Sequence, residues 1–309
     1  VIQAVSCFGT STGSINYSAS GGTGTFQYSL LPSGFINTSG NFTNLNAGNY
    51  TLIAADANGC SASSLATITQ APAIQINSIQ LTNNSCTNIN DGSISITASG
   101  GTGLLNYMLQ PIGLSNTTGL FTGLIGATYT ITIQDINNCI KDTVVQLVNP
   151  TALVFTTVTT SNVICFGDSN GSAQISTSGG TGLCTYTLLP VGINNTTGNF
   201  TNLYAGSYTV VVSDANNCTN TTIFYITQAS TISIAIVNQQ NITCFGGNNG
   251  SIQVSGSGGL LPYVYTMLPI GTQNASGIFT NLSTGIVSVQ VQDANGCSIT
   301  STPIILSQG

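Results

Sequence analysis

Ser207-Tyr208-Thr209-Val210-Val211-Val212-Ser213-Asp214-Ala215-Asn216-Asn217-Cys218 is the stretch that decides the fold. Tyr208, Val210 and Val212 alternate along it, and a period of two places them on one buried face of a β-strand. The Asp-x-Asn step that follows is turn chemistry, because an Asx side chain can bond its own backbone two residues on. The same strand and turn open at Tyr50 and Tyr129, and at Val287 in a fourth copy, always 79 residues apart. The chain is therefore a tandem array, and its 309 residues divide into four units instead of the two or three domains that length alone suggests.

Moving outward from that strand, each unit carries its landmarks in one order. A first cysteine stands at Cys7, Cys86, Cys165 and Cys244, followed by Phe-Gly except at Thr87-Asn88. A Gly-Ser step then enters an alternating strand, as in Ile94, Ile96 and Ala98. Double glycines at Gly21, Gly100, Gly179 and Gly258 end it, and a second strand passes through Tyr28, Tyr107, Tyr186 and Tyr265. Prolines 32, 111, 190 and 269 stop that strand, since proline cannot donate to a sheet ladder. A short strand with Phe42, Phe121, Phe200 and Phe279 precedes the rich one.

After the second cysteine comes a last strand, then a Thr-Gln-Ala-Pro type of linker into an opening strand such as residues 73–80. Roughly seven short strands per unit with turn signals every eight to twelve residues predict an all-β, immunoglobulin-like antiparallel β-sandwich. The expected domains are 1–71, 72–150, 151–229 and 230–309, with the opening strand of the first truncated because six residues precede Cys7. A boundary cut from a longer chain accounts for that better than a strand lent by a neighbouring molecule, although strand exchange would polymerise such a unit.

The second cysteines, Cys60, Cys139, Cys218 and Cys297, each lie 53 residues after the first. Pairing within each unit, Cys7 with Cys60, Cys86 with Cys139, Cys165 with Cys218 and Cys244 with Cys297, satisfies all eight. It would close a loop worth about 4 kcal/mol in a chain-entropy account. Pairing across the linker, Cys60 with Cys86 and onward, is the other arrangement. Cys184 is a ninth cysteine at a position held by Phe26, Leu105 and Tyr263 in the other copies, and is read as a buried free thiol. Regularly spaced cysteines in small β units point to an oxidising compartment.

Charge is scarce: one Lys or Arg, seven Asp or Glu, and no His, or 3% of residues. Nucleic acid and anionic membrane surfaces, which need clustered cations, are set aside as partners. No apolar run reaches the roughly 18 residues of a membrane-spanning helix, so membrane insertion is not expected. With no histidine and no Cys-x-x-Cys, neither a zinc site nor any cofactor is expected. An enzyme is excluded on the same inventory, because almost no general acid or base is present. The Asp-x-Asn steps at Asp56, Asp135, Asp214 and Asp293 give one carboxylate per unit, which suits a hairpin turn better than calcium. Asn37, Asn116, Asn195 and Asn274 begin N-x-Ser/Thr sequons at one register, candidate glycosylation sites whose plainer reading is a turn. The Gly-Gly-Thr-Gly segments lack the Lys and the helix of a phosphate loop.

Taken together, Cys-Phe-Gly, Gly-Ser-Ile, Gly-Gly-Thr-Gly, the Tyr strand, Ala-Gly-x-Tyr-Thr and Asp-Ala-Asn-Gly-Cys resemble the SprB-type repeat of very large surface adhesins from gliding Bacteroidota. Departures are Thr87-Asn88 for Phe-Gly, Leu260-Leu261 for Thr-Gly, and Val287 for the Tyr that opens the rich strand. The resemblance implies an extracellular, cell-surface β-domain array, exported by a dedicated secretion system and used in adhesion or gliding. Its expected partners are neighbouring repeats of the same or an identical chain, surface glycans or other cells. Two structural roles follow: a stalk on the order of 120 Å, at roughly 30 Å per domain, or a subunit of a packed extracellular fibre.

Overall fold

The computed structural model describes residues 1–309, entirely in strands, turns and connecting segments. It divides into two compact units, Val1–Pro150 and Thr151–Gly309. Each holds two β-sandwiches with separate cores.

In the first unit, the first repeat contributes β1 (Ile2–Gln3), β2 (Gly13–Asn16), β3 (Gln27–Leu31), β4 (Phe35–Asn37), β5 (Asn41–Leu45), β6 (Gly48–Ala55) and β7 (Ser61–Ile68). The second contributes β8 (Gln75–Thr82), β9 (Gly92–Ser99), β10 (Asn106–Gln110), β11 (Leu114–Asn116), β12 (Leu120–Leu124), β13 (Thr128–Gln134) and β14 (Ile140–Gln146). Strands β1-β2-β5 form one sheet of the first sandwich and β4-β3-β6-β7 the other. The second repeats this as β8-β9-β12 and β11-β10-β13-β14. All these pairings are antiparallel. Seven strands in sheets of three and four is the immunoglobulin-like arrangement expected from the alternating pattern.

Alternation does place one face inward. In β13, Tyr129, Ile131 and Ile133 are buried, and they meet Ile94 and Ile96 of β9, Leu109 of β10 and Phe121 of β12 in one core. Burying each such side chain contributes about 1.5–3 kcal/mol, and this area holds the two sheets together. The opening strand β8 begins two residues later than the linker pattern suggests, because Ala73 is already committed: its carbonyl lies where a Cβ on Gly100 would be. Gly100 also takes a positive φ of 90°, so only glycine fits the crossing. The first repeat opens with the two-residue strand β1, against eight residues in β8.

In the second unit the fourth repeat differs at its end, where one last strand becomes two, Ser298–Thr300 and Ile304–Leu306, both paired with Gly285–Gln292.

A tyrosine latch fixes the start of the rich strand. The Tyr129 hydroxyl donates to the Ile125 carbonyl at 3.0 Å, and Tyr50 and Tyr208 do the same to Asn46 and Tyr204 at 2.9 Å. This is the tyrosine corner of immunoglobulin-like sandwiches, and the fourth repeat forgoes it by carrying Val287. Replacing Tyr129 by Phe keeps the buried ring and removes only this bond, so the second repeat should lose about 1 kcal/mol. Thermal melting of Tyr129→Phe beside a Phe42→Tyr surface-neutral control is unnecessary: the variant alone, measured against wild type in denaturant, gives the shift.

Candidate functional site: the junction between consecutive repeats

The two landmark cysteines of one repeat stand at opposite ends of its sandwich. Cys60 directly precedes β7, whereas Cys7 adjoins the Val5 to Gln70 parallel bridge that lies just beyond the other end of β7. Eight residues of strand separate those ends by about 27 Å, and a disulfide requires Cα atoms within about 7 Å. Pairing of Cys7 with Cys60 is therefore ruled out by the length of the strand between them.

The bonds join consecutive repeats instead. Cys7 pairs with Cys139, and Cys165 with Cys297, each with Cα atoms 5.5 Å apart and a sequence separation of 132. The first cysteine of one repeat thus bonds the second cysteine of the next. This corrects the expected pairing within each unit at Cys7, Cys139, Cys165 and Cys297, and Cys60 with Cys86 fails as well, because Cys60 is free. Cys86 and Cys218 are also disulfide-bonded. Cys60 and Cys244, expected in bridges, are free and exposed. Cys184 is free as well, half-buried instead of fully buried, and packs on the third core where Phe26, Leu105 and Tyr263 pack on theirs.

Each end of the junction is built to hold its cysteine still. Val5 donates its N–H to the Thr69 carbonyl at 2.9 Å, and the Gly9 N–H reaches the Gln70 Oε1 at 2.9 Å, so the Cys-Phe-Gly turn is tied to the last strand of its own repeat. Gln228 and Gln308 hold Gly167 and Gly246 in the same way. The second repeat, with Thr87-Asn88, substitutes a Thr87 hydroxyl donating to the Pro150 carbonyl at 3.0 Å. Asn84 stands buried where the other repeats carry Val5, Val163 and Ile242, and its amide donates to Ile89 and Leu124 carbonyls at 2.6 and 2.8 Å.

The opposite end is a clamp made by one aspartate. Asp135 accepts the Thr102 N–H on Oδ2 at 2.8 Å, and the Asn137 and Cys139 N–H groups on Oδ1 at 2.9 Å. Asp56, Asp214 and Asp293 bond the corresponding amides, with Leu260 in place of Thr in the fourth repeat. The residue before each second cysteine, Gly59, Asn138, Asn217 or Gly296, has a positive φ, which Gly and Asn tolerate. The carboxylate therefore locks the hairpin that carries the cysteine onto the double-glycine loop. Across the first junction the Asn137 amide donates to the Ser6 carbonyl at 3.4 Å, and Phe8 and Ile140 line a groove beside the bridge. Cys165, Phe166, Cys297 and Ile299 line the same groove at the junction of the third and fourth repeats.

The sequon asparagines take part in turns. Asn37 Oδ1 accepts the Ser39 and Gly40 N–H groups at 3.0 and 2.7 Å, and its amide donates to the Asn41 carbonyl at 2.9 Å. Asn116, Asn195 and Asn274 repeat all three bonds. No helix of the chain is long and apolar enough to cross a membrane.

A family model for the SprB repeat matches the chain four times, at residues 1–35, 78–112, 157–192 and 236–272. The four repeats are SprB repeats. Each matched segment covers the first cysteine, the Gly-Ser strand and the Tyr strand, while the aspartate clamp and the second cysteine lie beyond it. No curated protein sequence matches the chain. Among solved structures, Sidekick-1 immunoglobulin domains 1–5 align at 13% identity and a TM-score of 0.32, covering 96% of this chain and 76% of that one. The three N-terminal domains of the bacteriophage RB49 highly immunogenic outer capsid protein align at 16% and 0.35, covering 77% and 100%. Domains 1–6 of the surface layer protein SbsC align at 11% and 0.27, covering 100% and 54%. At these scores the likeness carries no argument, and the fold rests on the strand pairing itself.

Backbone amides, led by those of Thr23 and Cys60, hold the Asp56 carboxyl below its ordinary value of 3.8. A depressed folded-state value means stability that is fully present above the unfolded-state value and lost as pH falls through the lowered one. The melting temperature should be flat from neutral pH to about pH 5 and fall below about pH 4. Asp56→Asn should melt lower at neutral pH and lose part of that acid dependence, because its amide offers a single acceptor oxygen to three donors.

Proposed function

We propose that this chain is a tension-bearing structural segment of an extracellular repeat protein, forming part of a cell-surface filament or adhesin stalk used for attachment or gliding. The observation that carries this reading is the disulfide register. A bridge that closed each domain would stabilise it singly, whereas these bridges tie the end of one repeat to the end of the next. Each also closes a loop worth about 5 kcal/mol in a chain-entropy account.

The mechanical effect is larger than the thermodynamic one. Force applied at the chain ends enters at Cys7 and leaves at Cys139 through one sulfur–sulfur bond, so the residues between them are shielded from extension. The segment between Cys165 and Cys297 is shielded likewise. SprB repeats of this kind, with no catalytic inventory and with disulfides that need an oxidising setting, suit an outside location and a non-enzymatic role. Neighbouring repeats are the first partners, and other cells or surface glycans the outer ones.

A second reading, lateral packing into a fibre, is favoured by one observation. Leu65, Val144 and Ile223 occupy the same register of the last strand in three repeats and are 82%, 64% and 59% exposed. Three aliphatic side chains at one register give neighbouring arrays a repeating apolar contact, with little charge to oppose it.

Single-molecule pulling tests the main reading. The oxidised chain should stretch only through residues outside the bridges. Reductant should release about 450 Å of contour for each opened 132-residue loop. Equal extension with and without reductant would sink the tether reading. Intact-mass measurement of material from the native cell surface tests the sequons: hexose-bearing increments at Asn37, Asn116, Asn195 and Asn274 are expected, and an unmodified mass would leave them as turns alone.

A further inference from the structure

The bridging rule leaves one cysteine over at each end of the array. If the first cysteine of a repeat bonds the second cysteine of the next, then Cys60, a second cysteine in the first repeat, has no preceding repeat in this chain to bond. Cys244, a first cysteine in the fourth repeat, has no following one. These are the two landmark cysteines found free and exposed. Both sit in the same local frames as their bonded counterparts. Cys60 N–H is held by Asp56 at 2.9 Å, as Cys139 is by Asp135. The Cys244 turn is tied back by Gln308 to Gly246, as Gln70 ties Gly9 beside Cys7.

A second observation points to a missing neighbour. Phe8 and Phe166, which line occupied junction grooves, are 57% and 55% exposed, while Phe245, at the equivalent position beside Cys244, is 87% exposed. The surface that a following repeat covers in the first and third repeats is bare on the fourth.

We propose that Cys244 and Cys60 form an intermolecular disulfide, joining the fourth repeat of one copy of this chain to the first repeat of a second copy, head to tail. The partner chemistry is that of the internal junctions: an aspartate-clamped hairpin cysteine docking against a glutamine-tied Cys-Phe-Gly turn. Rings or open chains follow, because the two surfaces are different and each copy carries one of each.

The oxidant is a small-molecule disulfide. The Cys244 thiolate attacks one of its sulfurs, expelling one thiol and leaving a mixed disulfide, and the Cys60 thiolate of the second copy then displaces the other thiol. Two protein thiols lose two protons and two electrons in total, and one small disulfide is reduced to two thiols. This inference rests on the tether reading for its purpose. Its test does not, because covalent joining is read by mass whereas shielding within a chain is read by pulling.

The whole chain is incubated in a buffer of oxidised and reduced glutathione and resolved without reductant. Wild type and Cys184→Ser should give a ladder at multiples of 31.5 kDa, with a Cys60 to Cys244 peptide on mapping and Cys7 to Cys139 intact as a check on folding. Cys60→Ser and Cys244→Ser should each lose the ladder, and an equal mixture of the two should stop at a dimer. A wild-type chain that stays monomeric, a crosslink through Cys184, symmetrical Cys60 to Cys60 or Cys244 to Cys244 products at comparable yield, or a Cys60 to Cys244 bond within one chain would each overturn the proposal.

Discussion

A disulfide spans about 4.4–6.8 Å between Cα atoms, and an eight-residue β-strand spans about 27 Å. The arrangement of this protein follows from the mismatch between those two lengths. With one cysteine at each end of every sandwich, no bond can be made inside a domain, and sulfur chemistry is available only where the end of one repeat meets the end of another. The bridge at Cys7 and Cys139 requires those two ends to meet in a fixed way. That in turn requires each cysteine to be presented rigidly, by the Val5 to Gln70 bridge on one side and by Asp135 on the other.

This division of labour explains how so few charges suffice. Each sandwich is held by apolar burial alone, around residues such as Ile94, Leu109 and Ile131. Four of the seven acidic residues are the hairpin clamps, where one carboxylate accepts three backbone N–H groups that would otherwise be left without partners. Bonds to an ionised acceptor are roughly twice as strong as neutral ones, so the charge is placed where rigidity matters most. Elsewhere Asn, Gln, Ser and Thr do the polar work, as in the three-bond Asn37 turn.

Much of the fold was legible in the sequence because it is written in local patterns. Period-two alternation located β9 and β13, prolines and double glycines marked strand ends, and the 79-residue step aligned the repeats. The placement of Cys184 could be read for the same reason, from Phe26, Leu105 and Tyr263 at its register. The disulfide partners were not legible from spacing, since a constant 53-residue interval is equally consistent with closing one domain or joining two. A signal was present nonetheless: Cys60 follows a hairpin turn and Cys7 precedes the first long strand, which puts them at opposite ends once the strands are laid antiparallel. The tyrosine latch was missed because Tyr50, Tyr129 and Tyr208 also satisfy the alternating pattern, and a hydroxyl bond four residues back leaves no mark on it.

One property of the bridged pair concerns damage instead of load. An extracellular chain meets proteases, and its exposed loops are where they cut. A single backbone cut anywhere between Cys7 and Cys139 yields two pieces that remain covalently joined through the sulfur bond, and the same holds between Cys165 and Cys297. Each junction has two covalent routes, one through peptide and one through sulfur. Severing the array within a bridged segment therefore takes two independent events, in chemistry that proteases and reductants do not share.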